Sequence, residues 1–361
     1  MARTIAIVAG GTAGHVFPAQ ALSEILGTKN KILFFTDARG QKFCDEKSSQ
    51  QNIILSVRNI QGGILQKALA LCYLGLSTLK SLYILKRQKV AVAIGFGNIT
   101  SFPVLFAAKL LKIPIILHEQ NSVIGKANKF FLKDAKFIAT SFKNTAGIDD
   151  KNHVVYNTGN PIRQEVFDSK RRRTKITAEI FIVIIGGSQG STIFDITIAH
   201  AITGLPKTLQ ENITIFQQVR EENINSVNSI YEISKVKKYM LKSFFKEIPQ
   251  MMADADLIIS RAGASAISEI EHLRVPAIIV PITNSIGNHQ VYNAQSFELQ
   301  GTSKVILEKD FSAETLRVKI EGLFIKNEID TMNSKVQGTN VNSAAQKLAI
   351  KVNEVIIGMR L

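Results

Sequence analysis

The 361-residue chain contains no tryptophan and only two cysteines, Cys44 and Cys72. Two cysteines cannot build a disulfide framework or a cysteine-based zinc site, so nothing points to an oxidising compartment. No stretch of about 18 uncharged apolar residues occurs, which argues against a segment that spans a bilayer. Met1 leads into an apolar strand pattern, Thr4 to Ala9, with no charged and apolar leader before it, so a cytoplasmic protein is expected. The six histidines show no H-x-x-x-H spacing, and neither a metal nor another cofactor is expected. The dinucleotide fingerprint G-x-G-x-x-G and a phosphate loop ending in G-K-[ST] are both missing. That disfavours a dehydrogenase and a P-loop nucleotidase.

What is present is positive charge. Lys and Arg number 44 against 29 Asp and Glu, a formal net charge of +15. Such a balance suggests an anionic partner: nucleic acid, an acidic membrane face or a phosphorylated substrate. Aromatic residues are 7% of the chain and are mostly Phe within apolar runs. Stacking platforms interleaved with Arg and Lys are not seen, so nucleic acid is not expected as the partner.

Short apolar runs alternate with helical stretches. The strand candidates are Thr4–Ala9, Lys31–Thr36, Val90–Ile94, Ile115–His118, Phe137–Thr140, Ile180–Ile185, Ile213–Gln217, Leu257–Ser260, Ala277–Val280 and Lys304–Leu307. Many are apolar on both faces, as strands covered by helices on both sides are, and the alternation predicts an α/β fold with parallel sheets. At roughly 150 residues per domain the length suggests two domains. Ile5–Pro18 (IAIVAGGTAGHVFP) and Ile182–Asp195 (IVIIGGSQGSTIFD) repeat one strand–glycine turn–helix pattern, which suggests two Rossmann-like halves. Between them, Asn157–Thr174 reads as an exposed linker, with Gly159, Pro161 and the basic run Lys170–Arg173.

Four constellations could carry chemistry. Gly10–Gly14 and Gly186–Gly190 are glycine turns whose amides suit an anion at a helix N-terminus, or are plain strand–helix turns. His15 follows the first turn, placed to titrate near neutrality. Ser260–Glu269 leaves room for a diphosphate, and Glu269 could accept from ribose hydroxyls or merely complement a helix dipole. Gln290 and Asn293, three apart, could share a helix face toward sugar hydroxyls or lie in a polar surface turn. Asp254-Ala-Asp256 has the look of a metal-holding pair, but its place at a helix end favours a solvated reading.

Seven stretches in order from Gly10 to Gln295 then carry a resemblance: GGTAGHVFPA, GFGNITSFPVLFAA, HEQNSVIGKANK, TGNPIR, GGSQGS, SRAGASAISE and HQVYNAQ. Together they resemble the bacterial peptidoglycan N-acetylglucosaminyltransferases, a GT-B family. These move N-acetylglucosamine from UDP-N-acetylglucosamine to N-acetylmuramoyl-pentapeptide on undecaprenyl diphosphate, converting lipid I to lipid II. The resemblance implies two Rossmann-like parallel-sheet domains facing a cleft whose closure excludes water. Residues 1–160 would serve acceptor and membrane, 161–340 the UDP-sugar, and a C-terminal helix within 341–361 would return to the first domain. Donor contacts are implied for Thr12, Ala13, Gly14, Asn121, Arg163 and Ser188, and for the backbone at Phe245. They are also implied for the loop Ala264, Ser265, Ala266, Ile267, Ser268 and Glu269, and for Gln290.

His15 is the candidate general base for an inverting displacement, with Glu119 or Asn121 as alternatives that orient the acceptor hydroxyl. The family's usual Gly-Gly-Tyr is Gly97-Asn98-Ile99 here, and Asn98 should restrict backbone approach in the acceptor loop. Leu65–Leu85 is an apolar helical stretch bordered by Lys67, Lys80, Lys86, Arg87 and Lys89, with a second basic series at Lys126, Lys129, Lys133 and Lys136. It suits either a buried core helix or, as the family implies, an anionic membrane surface on the cytoplasmic side of the inner membrane. Cell-wall synthesis proteins are the implied protein partners. A different GT-B UDP-sugar enzyme, an epimerase or a transferase with a soluble acceptor, would share Glu269 and the glycine turns. A non-catalytic nucleotide- or nucleic-acid-binding module is the reading from another class.

Overall fold

The computed structural model describes residues 2–44, 50–58, 62–172, 179–187, 190–283, 288–337 and 343–358. The chain forms two compact units, Met1–Arg163 with Asn342–Leu361, and Gln164–Val341. The division falls three residues beyond the sequence estimate of 160.

The first unit holds strands β1 (Thr4–Val8), β2 (Lys31–Asp37), β3 (Gln51–Leu55), β4 (Val90–Gly95), β5 (Ile115–Glu119), β6 (Ala135–Thr140) and β7 (Val155–Asn157). They make one sheet in the order β3-β2-β1-β4-β5-β6-β7, with every pairing parallel. Successive side chains point to opposite faces, so β1 sends Ile5 and Ile7 into one core and Ala6 and Val8 into another. The second unit holds β8 (Ile180–Ile185), β9 (Ile213–Gln218), β10 (Lys238–Lys242), β11 (Leu257–Ser260), β12 (Ala277–Ile279) and β13 (Ser303–Val305). Their order is β10-β9-β8-β11-β12-β13, again all parallel. Ile182 and Ile184 enter one core, Val183 the other.

Three strands escaped the sequence reading: β3, β7 and β10. All lie at sheet edges, where one face or end meets water and the apolar run is interrupted. The expected exposed linker is also partly wrong. Thr158 and Asn160 are buried, and the Gly159 carbonyl lies 3.4 Å from His118 Nε2.

Helix Ala344–Gly358 belongs to the first unit and supplies Leu348, Ala349, Val352 and Ile356 to the core beneath helix Ala13–Gly27. Helix Ile64–Arg87 reaches a mean hydropathy of 1.6 over 18 residues, long and apolar enough to cross a membrane by length and composition alone. Its Ser77 and Ser81 are buried, and Lys80 Nζ donates to the Ile54 carbonyl at 2.7 Å, so one face is docked on the unit. Leu348 is fully buried. Leu348→Ala should cost about 2–5 kcal/mol of stability, read as a lowered urea midpoint.

Candidate functional site

In an open parallel sheet, ligands gather beyond the carboxyl ends of the strands where the strand order reverses. In the first unit that point lies between β1 and β4, whose ends, Val8 and Gly95, are in register. β1 runs into the Gly10–Gly14 turn, and β4 into Gly97-Asn98. Gly11 has φ +81°, a conformation only glycine takes without strain. Its amide donates to Asp37 Oδ1 (3.0 Å), as does the Gly40 amide (2.7 Å), while Arg39 and Thr100 donate to Oδ2. Burial alone would raise the Asp37 carboxyl. The two amides and the Arg39 guanidinium outweigh it and hold the group below its usual value.

Asn98 stands where the resembling family usually has glycine. It takes the left-handed backbone (φ +66°) that glycine would provide, which Asn tolerates better than most residues. Its Nδ2 donates to the Gly10 carbonyl at 3.1 Å, tying the two turns together. A Cβ at Gly97 would stand 3.6 Å from His15 Cδ2, so the imidazole lies over this loop. His15 Nδ1 is 2.9 Å from Thr12 Oγ1. Arg163 stacks on Phe17, its Cζ 4.8 Å from the ring centroid.

At the end of β5, Glu119 is 1% exposed. It accepts from the Asn121 amide (3.0 Å) and Nδ2 (3.3 Å), the Gly125 amide (2.9 Å) and Asn128 Nδ2 (2.9 Å). Burial raises its carboxyl despite those donors. Glu119 therefore organises the 121–128 loop and fixes Asn121. Sequence reasoning missed Asn128, which is fully buried and also donates to the His118 carbonyl at 3.0 Å. His118 is fully buried beside Phe96, and burial lowers it to about 4.

In the second unit the order reverses between β8 and β11. Of the Gly186–Gly190 turn, Ser188 lies outside the described residues. Gly187 and Gly190 both have positive φ. Helix Ala264–Leu273 starts at Gly263, an N-cap with no side chain to cover its first amides. Ala264 and Ile267 are buried, Ile267 in the core, so Ile267 can offer only backbone. Ser268 Oγ donates to the Ala264 carbonyl (2.9 Å), while Ser265 and Ala266 are half-buried. Glu269 is 6% exposed and lies beyond the first turn, which has no acidic residue, so the helix-dipole reading does not hold.

Gln290 Oε1 accepts from the Ile282 amide (3.1 Å), and Asn293 Nδ2 donates to the Ala262 carbonyl (3.2 Å). Asn293 is fully buried and anchors the segment that follows β11, so its side chain is not turned to a sugar hydroxyl. Phe245 is buried, with Lys242 Nζ 5.7 Å from its ring centroid.

Arg261, within the Ser260–Glu269 stretch, has a role that local sequence does not reveal. Its guanidinium bonds Ser191 Oγ (2.8 Å), the Val280 carbonyl (3.2 Å) and Glu308 Oε1 (2.8 Å), and stacks on Phe194. Glu308 in turn accepts from the Thr283 amide and hydroxyl. One buried cation thus joins the ends of β11 and β12 to the start of the helix after the glycine turn. Asp254 and Asp256, at the end of the helix Ile248–Asp254, are partly exposed and also hydrogen-bonded. Asp254 accepts from the Arg172 amide and Gln250, and Asp256 from the Phe181 amide and Arg171. Among the described residues, no three or more His, Cys, Asp or Glu are grouped to hold a metal ion.

Two parallel-sheet Rossmann-like units, each with a glycine turn at its switch point, define the GT-B class of glycosyltransferase fold. Residues 5–140 match the glycosyltransferase family 28 N-terminal domain, and residues 181–348 the family 28 C-terminal domain. The chain is 35% identical over 324 residues to the UDP-N-acetylglucosamine--N-acetylmuramyl-(pentapeptide) pyrophosphoryl-undecaprenol N-acetylglucosamine transferase of Rhodospirillum centenum, covering 88% of this chain and 85% of that one. A protein of the same name from the Wolbachia of Drosophila simulans is 36% identical over 349 residues, covering 96% and 95%. The chain belongs to this transferase family. The crystal structure of Acinetobacter baumannii MurG has the same fold, with a TM-score of 0.80 at 22% identity over 98% of this chain and 100% of that one.

The buried His118 yields a prediction. An unfolded histidine titrates near 6.5 and this one near 4, so the unfolded state binds more protons between those values. Its contribution to stability is present above pH 6.5 and is lost as pH falls toward 4. Wild type should lose about 2–3 kcal/mol through this residue between pH 7 and 4.5. His118→Asn should show a correspondingly flatter pH dependence of its unfolding free energy.

Proposed function

We propose that the chain moves N-acetylglucosamine from UDP-N-acetylglucosamine to the 4-hydroxyl of N-acetylmuramoyl-pentapeptide on undecaprenyl diphosphate, with inversion. The carrying observation is family membership along nearly the whole chain, with relatives named for that transfer matched over 85% and 95% of their length. Those names also speak against an epimerase or a soluble-acceptor transferase.

In the reaction the acceptor hydroxyl bonds to the anomeric carbon as the bond to UDP breaks. The hydroxyl proton passes to His15, and UDP leaves with the electron pair. The tautomer that donates from Nδ1 to Thr12 Oγ1 carries its lone pair on Nε2, the form a general base needs. Thr12, Ala13, Gly14, Arg163 and Asn121 are donor contacts, and Asn121, fixed by Glu119, is also placed to orient the acceptor hydroxyl. On the second unit, Ser188 and the amides of Ala264–Ala266 meet the diphosphate as its charge grows. Glu269 takes the ribose hydroxyls, the backbone at Phe245 the uracil, and Gln290 a sugar hydroxyl. With backbone amides for the leaving group, no metal or other cofactor is required.

The enzyme lies on the cytoplasmic face of the inner membrane. Supporting this, helix Ile64–Arg87 exposes Ile64, Leu65, Leu69, Leu71, Leu76, Leu79 and Tyr83, while Lys67, Lys86 and Lys89 are also exposed. Lys126, Lys129, Lys133 and Lys136 are exposed too. Apolar side chains ringed by cations suit an anionic leaflet. Cell-wall synthesis proteins remain the proposed protein partners.

Labelled N-acetylglucosamine should pass from the UDP donor to a lipid I analogue in EDTA. Tight donor binding without product would overturn the acceptor assignment. His15→Ala should lower kcat about 10²–10⁴-fold with little change in donor KM. A double change, Leu76→Glu with Leu79→Glu, should weaken binding to anionic vesicles roughly tenfold or more, measured by co-sedimentation.

A further inference from the structure

Gln218, the last residue of β9, touches both parts of the donor site that the second unit is read to form. Its Oε1 accepts from the Gly186 amide at 3.1 Å, and its Nε2 donates to the Gly187 carbonyl at 3.3 Å and the Ser243 carbonyl at 3.2 Å. One side chain therefore bridges the glycine turn after β8 and the Ser243–Phe245 segment after β10. The turn it holds is tight. A Cβ at Gly186 would stand 2.7 Å from the Ser191 amide nitrogen, and the Gly187 carbonyl also accepts from the Gly190 amide at 3.1 Å. The Ser243 side is fastened as well, with Ser243 Oγ donating to Glu221 Oε2 at 2.9 Å and the Val219 amide to the Lys242 carbonyl at 3.0 Å.

We propose that Gln218 is a positioning residue that makes binding of the uracil and of the diphosphate interdependent, by holding the glycine turn and the 243–245 segment in one register. It touches no reacting atom. The inference rests on the donor reading above, which puts the diphosphate at the turn and uracil at Phe245. A group ordered by one half of the nucleotide is then already ordered for the other half, and the second half does not meet that entropic cost again. A side chain that only stabilised the fold would weaken each half separately, without linking them.

Inhibition constants for uridine, inorganic pyrophosphate and UDP, against UDP-N-acetylglucosamine, test this in wild type, Gln218→Met and Gln218→Glu. Met fills the space without hydrogen bonds. Glu keeps the acceptor for Gly186 but faces two carbonyls with oxygen. In both variants UDP affinity should fall about tenfold, by clearly more than the product of the two fragment losses. Donor KM should rise by the same factor with kcat within about twofold. A UDP loss equal to that product, or no loss, overturns the proposal.

A wild-type measurement covers variants that fold poorly. Uridine alone should slow hydrogen exchange at the Gly186 amide, and unchanged exchange with uridine bound overturns the coupling. Failure of the two readings is separable. A protein that binds UDP without transferring sugar refutes the acceptor assignment and leaves the coupling to be decided by the fragments. A protein that binds no UDP refutes both.

Discussion

Every parallel strand here ends in backbone amides and carbonyls that the ladder no longer pairs, and the molecule is organised around satisfying them. A buried polar group without a partner costs about 1–3 kcal/mol, so neighbouring strand ends bond one another, as Phe96 does with Val8 and Val280 with Ser260, and several turns recruit a side chain. Asp37 takes the amides of Gly11 and Gly40, and Glu119 those of Asn121 and Gly125. Gln218 takes that of Gly186, and Asn293 returns a donor to the Ala262 carbonyl. The turns so fixed are the ones proposed to receive the substrates, so on that proposal the same bonds hold scaffold and site.

The two carboxylates show how local charge decides ionisation. Asp37 and Glu119 have similar amide partners, but Asp37 also has Arg39 and stays below its usual value. Glu119, buried more deeply with only neutral donors, is pushed up. The cation Arg261 is managed in the opposite sense, with Glu308 opposing the desolvation that lowers it. A molecule of net charge +15 thus keeps a few paired charges inside and leaves its lysines on the surface.

The central strands were legible because burial on both faces writes an uninterrupted apolar run. Ile180–Ile185 and Leu257–Ser260 were read to the residue. Edge strands β3, β7 and β10 carry no such signature. The glycine turns and the Ser260–Glu269 loop were visible from composition, yet their supports were not. Asp37 lies 26 residues from Gly11, and Gln218 lies 32 from Gly186, distances that no local pattern spans. Asp254 and Asp256 keep part of their surface in water, and the partners invisible to local pattern, Arg172 for Asp254 and Arg171 for Asp256, lie 82 and 85 residues upstream.

The helix Ala344–Gly358 completes the core of the unit that begins the chain. During synthesis the strands β1 to β7 leave the ribosome first, but Leu348, Val352 and Ile356 leave only after the whole second unit has emerged. The unit that is translated first is therefore finished last, and until then the apolar flank of helix Ala13–Gly27 lacks its cover. The order in which the two units can be completed is the reverse of the order in which they begin.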